Sequence, residues 1–270
     1  MGTTPAVRRH YVEGRWGQLH FYRAAPERPS RRPLVCFHLS PSSARMYEPF
    51  IAEMGRDRLA VAVDTPGYGG SDAPPRPPDS LGEYSAALGD LLDALKLESV
   101  DLFGAHTGSR LAVELAHQRP KQIHRLILFG AAVYTEAERA AQQRTYVETP
   151  RDTAITGAYL ARRWDGWCSW RWPGVSDAMV LRSYVASLDN FERSWWAHNT
   201  VFRHDMGARL KALAQETMVL CCKDDIYEPT QRAKDWINRG RYVERADWGH
   251  WFLEVKTAEA ADLARGFLDS

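Results

Sequence analysis

An α/β fold is what this sequence predicts, a mostly parallel central sheet flanked by helices with a helical cap inserted late in the sheet. Three observations carry the prediction. Short continuous apolar runs recur at Leu34–Phe37, Leu59–Val63, Leu126–Phe129 and Met218–Cys222, the pattern of strands covered on both faces, and Val100–Phe103 reads as a further strand. Segments of helical period separate most of them, as the crossovers of a parallel sheet require. A Trp-laden stretch of helical character, 135–213, then interrupts the alternation without strand signals of its own. The predicted organisation is a first core part over 1–134, a cap over 135–213 and a second core part over 214–270.

In chain order, Tyr11–Tyr22 alternates apolar and polar residues around glycines and reads as a hairpin. Ala44–Met54 can form a helix, with Pro49 as a potential break. Ser80 and Glu83 have the spacing of a capping box ahead of Leu88, Leu91, Leu92 and Leu95. Ser109–Gln118 reads as a helix ended by Pro120, Gln231–Asn238 as another, and Ala258–Leu268 as a closing one, with a strand at Arg241–Val243.

Composition narrows the function classes. At 270 residues, with 44% hydrophobic and 26% charged, the chain is neither disordered nor fibrous. Lys and Arg total 35 against 34 Asp and Glu, so no basic excess points to nucleic acid. No apolar run approaches a bilayer span, and the mean hydropathy is −0.44. The first residues lack a signal-peptide core, and Ala6 stands where a myristoylation motif after Gly2 needs Ser or Thr. Cys36, Cys168, Cys221 and Cys222 are too few and irregular for a disulfide framework or zinc ribbon. The expectation is a cytoplasmic protein, monomer or homodimer, acting on a small molecule without nucleic acid or membrane as partner.

Ligands of such sheets bind beyond the carboxyl ends of the strands. The residues there are His38-Leu39-Ser40-Pro41, Asp64 to Asp72, Gly104-Ala105-His106-Thr107-Gly108, Asp224-Asp225 and Gly249-His250-Trp251. In this order the set resembles the α/β-hydrolase superfamily, in particular its capped branch of epoxide hydrolases, dehalogenases and C–C bond hydrolases. The resemblance makes Gly104–Gly108 the nucleophile elbow, His38–Pro41 the oxyanion segment with Leu39 in place of Gly, and Asp64–Asp72 the loop before the elbow. It makes Asp225 the acid, with Asp224 second, and His250 the catalytic histidine. It implies backbone oxyanion donors at Thr107 and Ser40, with His38 and Trp251 beside the substrate.

The elbow carries His106 where the family carries Ser, Asp or Cys. A neutral imidazole needs no base to act as nucleophile near pH 7, so His106 could form an acyl-imidazole that water, activated by Asp225–His250, then cleaves. Alternatively, His106 and His250 form an acid/base pair for a lyase, isomerase or cofactor-free oxygenase. His106, His250 and Asp225 could instead ligate a metal, although elbow, acid and histidine normally form a linear relay. Finally, the imidazole could fill the cleft of a non-catalytic binding protein. Hydrolysis of a small apolar or aromatic ester or C–C substrate is the leading expectation, with no metal and no cofactor: the Gly67–Gly70 turn lacks a dinucleotide fingerprint.

His38 is expected to bond local backbone and Ser109 to pack within its helix. Cys221 and Cys222 should point to opposite faces of a strand. His10, His20, His117 and His124 are expected at the surface. Among Trp164, Trp167, Trp170, Trp172, Trp195 and Trp196, at least two are expected to roof the pocket, with Arg162, Arg163 and Arg171 solvated nearby.

Overall fold

The computed structural model describes residues 4–145, 155–189 and 191–270; Gly2 and, within the predicted cap, residues 146–154 and 190 lie outside the described residues. Among the described residues eight strands form one sheet: β1 (Arg8–Gly14), β2 (Gly17–Ala24), β3 (Leu34–Phe37), β4 (Ala60–Val63), β5 (Val100–Ala105), β6 (Ile123–Phe129), β7 (Glu216–Cys222) and β8 (Gly240–Arg245). Their spatial order is β1-β2-β4-β3-β5-β6-β7-β8. The β1–β2 hairpin and the β2–β4 pair are antiparallel, and every pairing from β4 to β8 is parallel.

The helices of the core are α1 (Glu48–Met54), α2 (Leu81–Ala94) and α3 (Thr107–Gln118). Between β6 and β7 the chain makes α4 (Glu136–Gln143), α5 (Gly157–Ser169), α6 (Asp177–Leu188), α7 (Trp195–Val201) and α8 (Met206–Lys211). It closes with α9 (Tyr227–Gln231), α10 (Phe252–Val255) and α11 (Thr257–Leu268). The continuous apolar strands are explained by covering on both faces. Val35 and Phe37 pack with Leu88 of α2 and Leu111 of α3. Leu34 and Cys36, pointing the other way, pack with Phe50 of α1 and Phe267 of α11. Each such side chain contributes about 1.5–3 kcal/mol by leaving water, and the two layers fix the strand ends from which the site is built.

The cap has its own small core, where Trp167, Val175, Val180 and Trp251 bury against Trp164 and Trp172. Thr156, Ser176 and Asp205 cap α5, α6 and α8 by accepting from backbone N–H groups. Thr135 and Glu138 form a reciprocal capping box at α4, and Arg232 grips the Glu138 carboxylate with two hydrogen bonds of 2.6 and 2.9 Å.

Four expectations are corrected. Ser80 makes no side-chain cap: Glu83 instead accepts from the Asp79 backbone N–H at 2.9 Å, beside Arg76. Residues 44–54 divide into a 3₁₀ turn, Ala44–Tyr47, and α1, with Pro49 in the first turn where its missing N–H costs nothing. The helix expected from Gln231 ends there; a 3₁₀ turn covers Arg232–Asp235. His20 is buried, not superficial, because its Nδ1 pairs with Asp64 at 2.7 Å.

Candidate active site

The turn from β5 into α3 forces one residue into a conformation L-amino acids avoid. His106 has φ of +50° and ψ of −107°, a strain of roughly 1–3 kcal/mol that its surroundings must hold. They do so through close backbone contact. A Cβ on Gly108 would lie 2.0 Å from the Phe37 carbonyl oxygen, and one on Gly104 would lie 2.4 Å from the Gly108 carbonyl oxygen. The His106 N–H donates to Phe129 O at 2.7 Å. Ser109 is fully buried and its hydroxyl reaches Gly104 O and Phe129 O at 2.9 and 2.7 Å.

The imidazole this turn presents packs edge-on to Phe129, with centroids 4.9 Å apart. Its Nε2 meets Asp224 Oδ2 at 2.9 Å. Burial lowers the basicity of His106, but the charge and hydrogen bond of Asp224, with help from Asp225, outweigh it and raise the pKa above 6.5. Asp224 is itself fixed, since its Oδ1 accepts the Ile226 N–H at 3.0 Å. His106 thus has an orienting carboxylate of its own, and Nδ1 is the ring nitrogen left to face a substrate.

His250 stands beside it, with ring centroids 5.4 Å apart. Its Nε2 is 3.0 Å from Asp225 Oδ1, but the contact is off the hydrogen-bonding direction, and both ring nitrogens of His250 lack an aligned partner among the described residues. Burial pushes the Asp225 carboxyl up, while His250 and the His106 charge pull it down further, to about 2. The sequence reading placed Asp225 with His250; the structure adds a second pair, Asp224 with His106.

A cavity of about 520 Å³ opens in front of His106, Thr107 and Asp225, with Tyr134, Trp170 and Phe202 among its walls. Thr107 opens α3, so its amide stands at a helix N-terminus, where anionic oxygen is favoured. The His38 carbonyl approaches the elbow at Gly108, which brings the oxyanion segment alongside. Leu39 does not take a positive φ, so it occupies a Gly position without that conformation. The Ser40 hydroxyl is buried with no partner among the described residues.

Two of the expected site residues have structural occupations. His38 is wholly buried; its Nδ1 bonds Leu39 O at 2.7 Å and its Nε2 accepts the Thr65 N–H at 2.9 Å. Neither nitrogen is left for a substrate. Trp251 is buried in the cap core and donates to Ser183 Oγ at 3.0 Å, so it supports the cap and touches only a narrow gap of about 20 Å³ beside His250. Of the six tryptophans, Trp170 lines this main cavity, with its ring over His250 at 4.8 Å, and Trp167 lines the narrow gap beside His250.

Sequence reasoning missed Arg110 and Arg232, which both face the cavity. Arg232 is neutralised by Glu138. Arg110 is buried, donates to Ala132 O at 2.7 Å, and has no carboxylate in ion-pair range among the described residues. Burial pulls its pKa down to about 10. The available signal was its place four residues after His106, one turn along the same helix face.

The family described as alpha/beta hydrolase fold matches residues 32–175. A 2-hydroxymuconate semialdehyde hydrolase from a Pseudomonas species is 27% identical over 227 residues, covering 80% of this chain and 78% of that protein. Another of the same name from Pseudomonas putida is 29% identical over 229 residues, covering 78% and 77%. Among solved structures, a hydrolase from Pseudomonas aeruginosa superposes with a TM-score of 0.80 at 17% identity, covering 97% of this chain and 99% of that one. A meta-cleavage product hydrolase from Pseudomonas fluorescens does so at 0.76 and 17%, covering 96% and 97%. The strained elbow, the sheet order and these similarities agree, and the chain belongs to the α/β hydrolase fold family as one of its hydrolases.

Proposed function

We propose that this protein hydrolyses a small, largely apolar or aromatic carbonyl compound, an ester or a C–C bond substrate, with His106 as the attacking group. The observation that carries this reading is the position of His106: it sits at the strained tip of the elbow, fronts the cavity and is held through Nε2 by Asp224 at 2.9 Å. In that tautomer the Nδ1 lone pair attacks the carbonyl carbon, and the Thr107 amide, with Ser40 from the neighbouring segment, receives the developing oxyanion. The leaving group departs as an anion and an acyl-imidazolium remains, its Nε2–H held by Asp224. Water cleaves it, with His250 and Asp225 taking the water proton and passing it to the departing group, which restores the neutral His106 ring. The similarity to 2-hydroxymuconate semialdehyde hydrolases supports C–C substrates alongside esters. Arg110 suits a substrate that carries an anionic group.

The test is single turnover of chromogenic aryl esters and ring-cleavage ketones, with intact-protein mass measured after acid quench. The reading expects an acyl adduct that maps to His106 and is absent in His106→Ala. Turnover with no adduct in wild type, and persisting in His106→Ala, overturns it.

A further inference from the structure

We infer that the two His–Asp pairs together form a binding site for one divalent transition-metal ion, contrary to the metal-free expectation from sequence. His106, Asp224, Asp225 and His250 each offer a ligand atom, and these atoms all lie within 4.8 Å of one another. The two closest contacts are 2.9 Å, His106 Nε2 to Asp224, and 3.0 Å, His250 Nε2 to Asp225. Metal–nitrogen and metal–oxygen bonds of about 2.1 Å in a tetrahedron imply ligand separations of about 3.4 Å. The cluster brackets that spacing, so small side-chain rotations would bring four donors onto one centre.

A second, independent observation points to a ligand. His250 is only 9% exposed, yet both its ring nitrogens lack a hydrogen-bond partner among the described residues. An imidazole so placed forfeits hydrogen bonds it would make in water. Its 3.0 Å approach to Asp225 does not recover them, being off the hydrogen-bonding direction. An ion bound between the pairs would take one of these nitrogens as a ligand.

Charge agrees. Adjacent carboxylates at 224 and 225 are both directed at the imidazoles, and a dication balances two carboxylates. Arg110 acts against positive charge at His106, but as one cation against two anions. The donor chemistry also sets the class of ion. Two imidazoles with two carboxylates suit Zn²⁺, Co²⁺ or Fe²⁺, whereas Mg²⁺ and Ca²⁺ prefer all-oxygen shells. Each donor sits at a strand end: His106 after β5, Asp224 and Asp225 after β7, and His250 after β8. The site is therefore built by the sheet and not by one loop.

This inference does not depend on the proposed hydrolysis, and it is tested by binding alone. The full chain, free of any affinity tag, is stripped with chelator and titrated with Zn²⁺ by calorimetry and with Co²⁺ by visible absorption. One equivalent is expected, with Co²⁺ bands typical of a low-symmetry four-coordinate nitrogen and oxygen site, and no binding of Mg²⁺. His250→Ala is expected to weaken Zn²⁺ binding by roughly a hundredfold, since disturbing even an outer partner of a metal centre costs up to that much. His10→Ala, at an exposed histidine on β1, is expected to change nothing. Should His250→Ala fail to fold by circular dichroism, Asp225→Asn, at a partly exposed carboxylate, supplies the same comparison. Wild type binding less than one equivalent overturns the inference, as does a folded site variant binding Zn²⁺ as tightly as wild type. Ester turnover by the chelator-treated protein is recorded separately, so either reading can fail without the other.

Discussion

Asp224→Asn is expected to disable the protein far more than Asp225→Asn, although sequence resemblance favoured Asp225 as the acid. Asp224 contributes one hydrogen bond of 2.9 Å to His106 and one of 3.0 Å from the Ile226 N–H. An asparagine keeps the second by placing its oxygen toward Ile226, which turns its amide N–H toward His106 Nε2. The ring must then accept at Nε2 and carry its proton on Nδ1, the nitrogen proposed to attack. Loss of the charged hydrogen bond alone is about 1.5–3 kcal/mol, or roughly tenfold to a hundredfold in kcat/KM, and the inverted tautomer adds to it. The assay is kcat/KM for an aryl ester, with thermal unfolding measured in parallel to show the fold intact. Asp225→Asn retaining less activity than Asp224→Asn would refute the assignment of Asp224 to His106.

Other expectations are independent of that one. Ser109→Ala removes a buried hydroxyl donor shared between the Gly104 and Phe129 carbonyls, the latter keeping the His106 N–H, and should destabilise by about 0.5–1.5 kcal/mol, read as a fall of roughly 2–4 °C in Tm per kcal/mol for a chain of this size; an unchanged Tm would show that the hydroxyl does not hold the elbow. Gly130→Ala places a Cβ 2.6 Å from His106 Cδ2 at a φ of +69°, so it should displace the ring and lower kcat while KM changes little. Trp170→Ala removes the ring over His250 and should shift kcat/KM toward bulkier acyl groups by roughly tenfold, measured across a series of ester chain lengths. Burial opposes ionisation of Glu114, but His204 and Arg209 outweigh it and hold its pKa down to about 2 from 4.5. The folded value lies below the unfolded one, so this stability is present above about pH 4.5 and lost as pH falls toward 2. Because Arg209 is 39% exposed, its size is on the order of 1 kcal/mol after solvent screening. Glu114→Gln should flatten the acid limb of denaturant midpoint against pH.

Much of the fold was legible because it rests on local pattern. Four-residue apolar runs such as Leu34–Phe37 admit little besides a strand covered on both faces, and Gly104-x-His-x-Gly108 announces a turn whose neighbours must be glycine. Pairings across long sequence separation were not legible. His20 read as a surface residue because its partner, Asp64, lies 44 positions away. Glu83 had the spacing of a capping box, yet the Asp79 N–H, one residue before the expected cap, took its carboxylate. The adjacent carboxylates at 224 and 225 could not be divided between two histidines from sequence, since a one-residue shift in a turn reverses which one each imidazole meets. Indole rings carry no mark of whether they roof a cavity or pack a helix pair. That choice depends on the crossing of α5 and α6, where Trp167 Nε1 donates to Ser187 Oγ at 3.2 Å.

The contacts that hold residue 106 in its left-handed conformation, from Gly104, Gly108, the Ser109 hydroxyl and the Phe129 carbonyl, are all made by neighbours or by main-chain atoms. The side chain is a passenger on that bend. Reactivity at this socket is therefore modular: a single codon can swap hydroxyl, thiol, carboxylate or imidazole without rebuilding the scaffold. Divergence between reaction types in such a lineage then requires no intermediate with a broken fold.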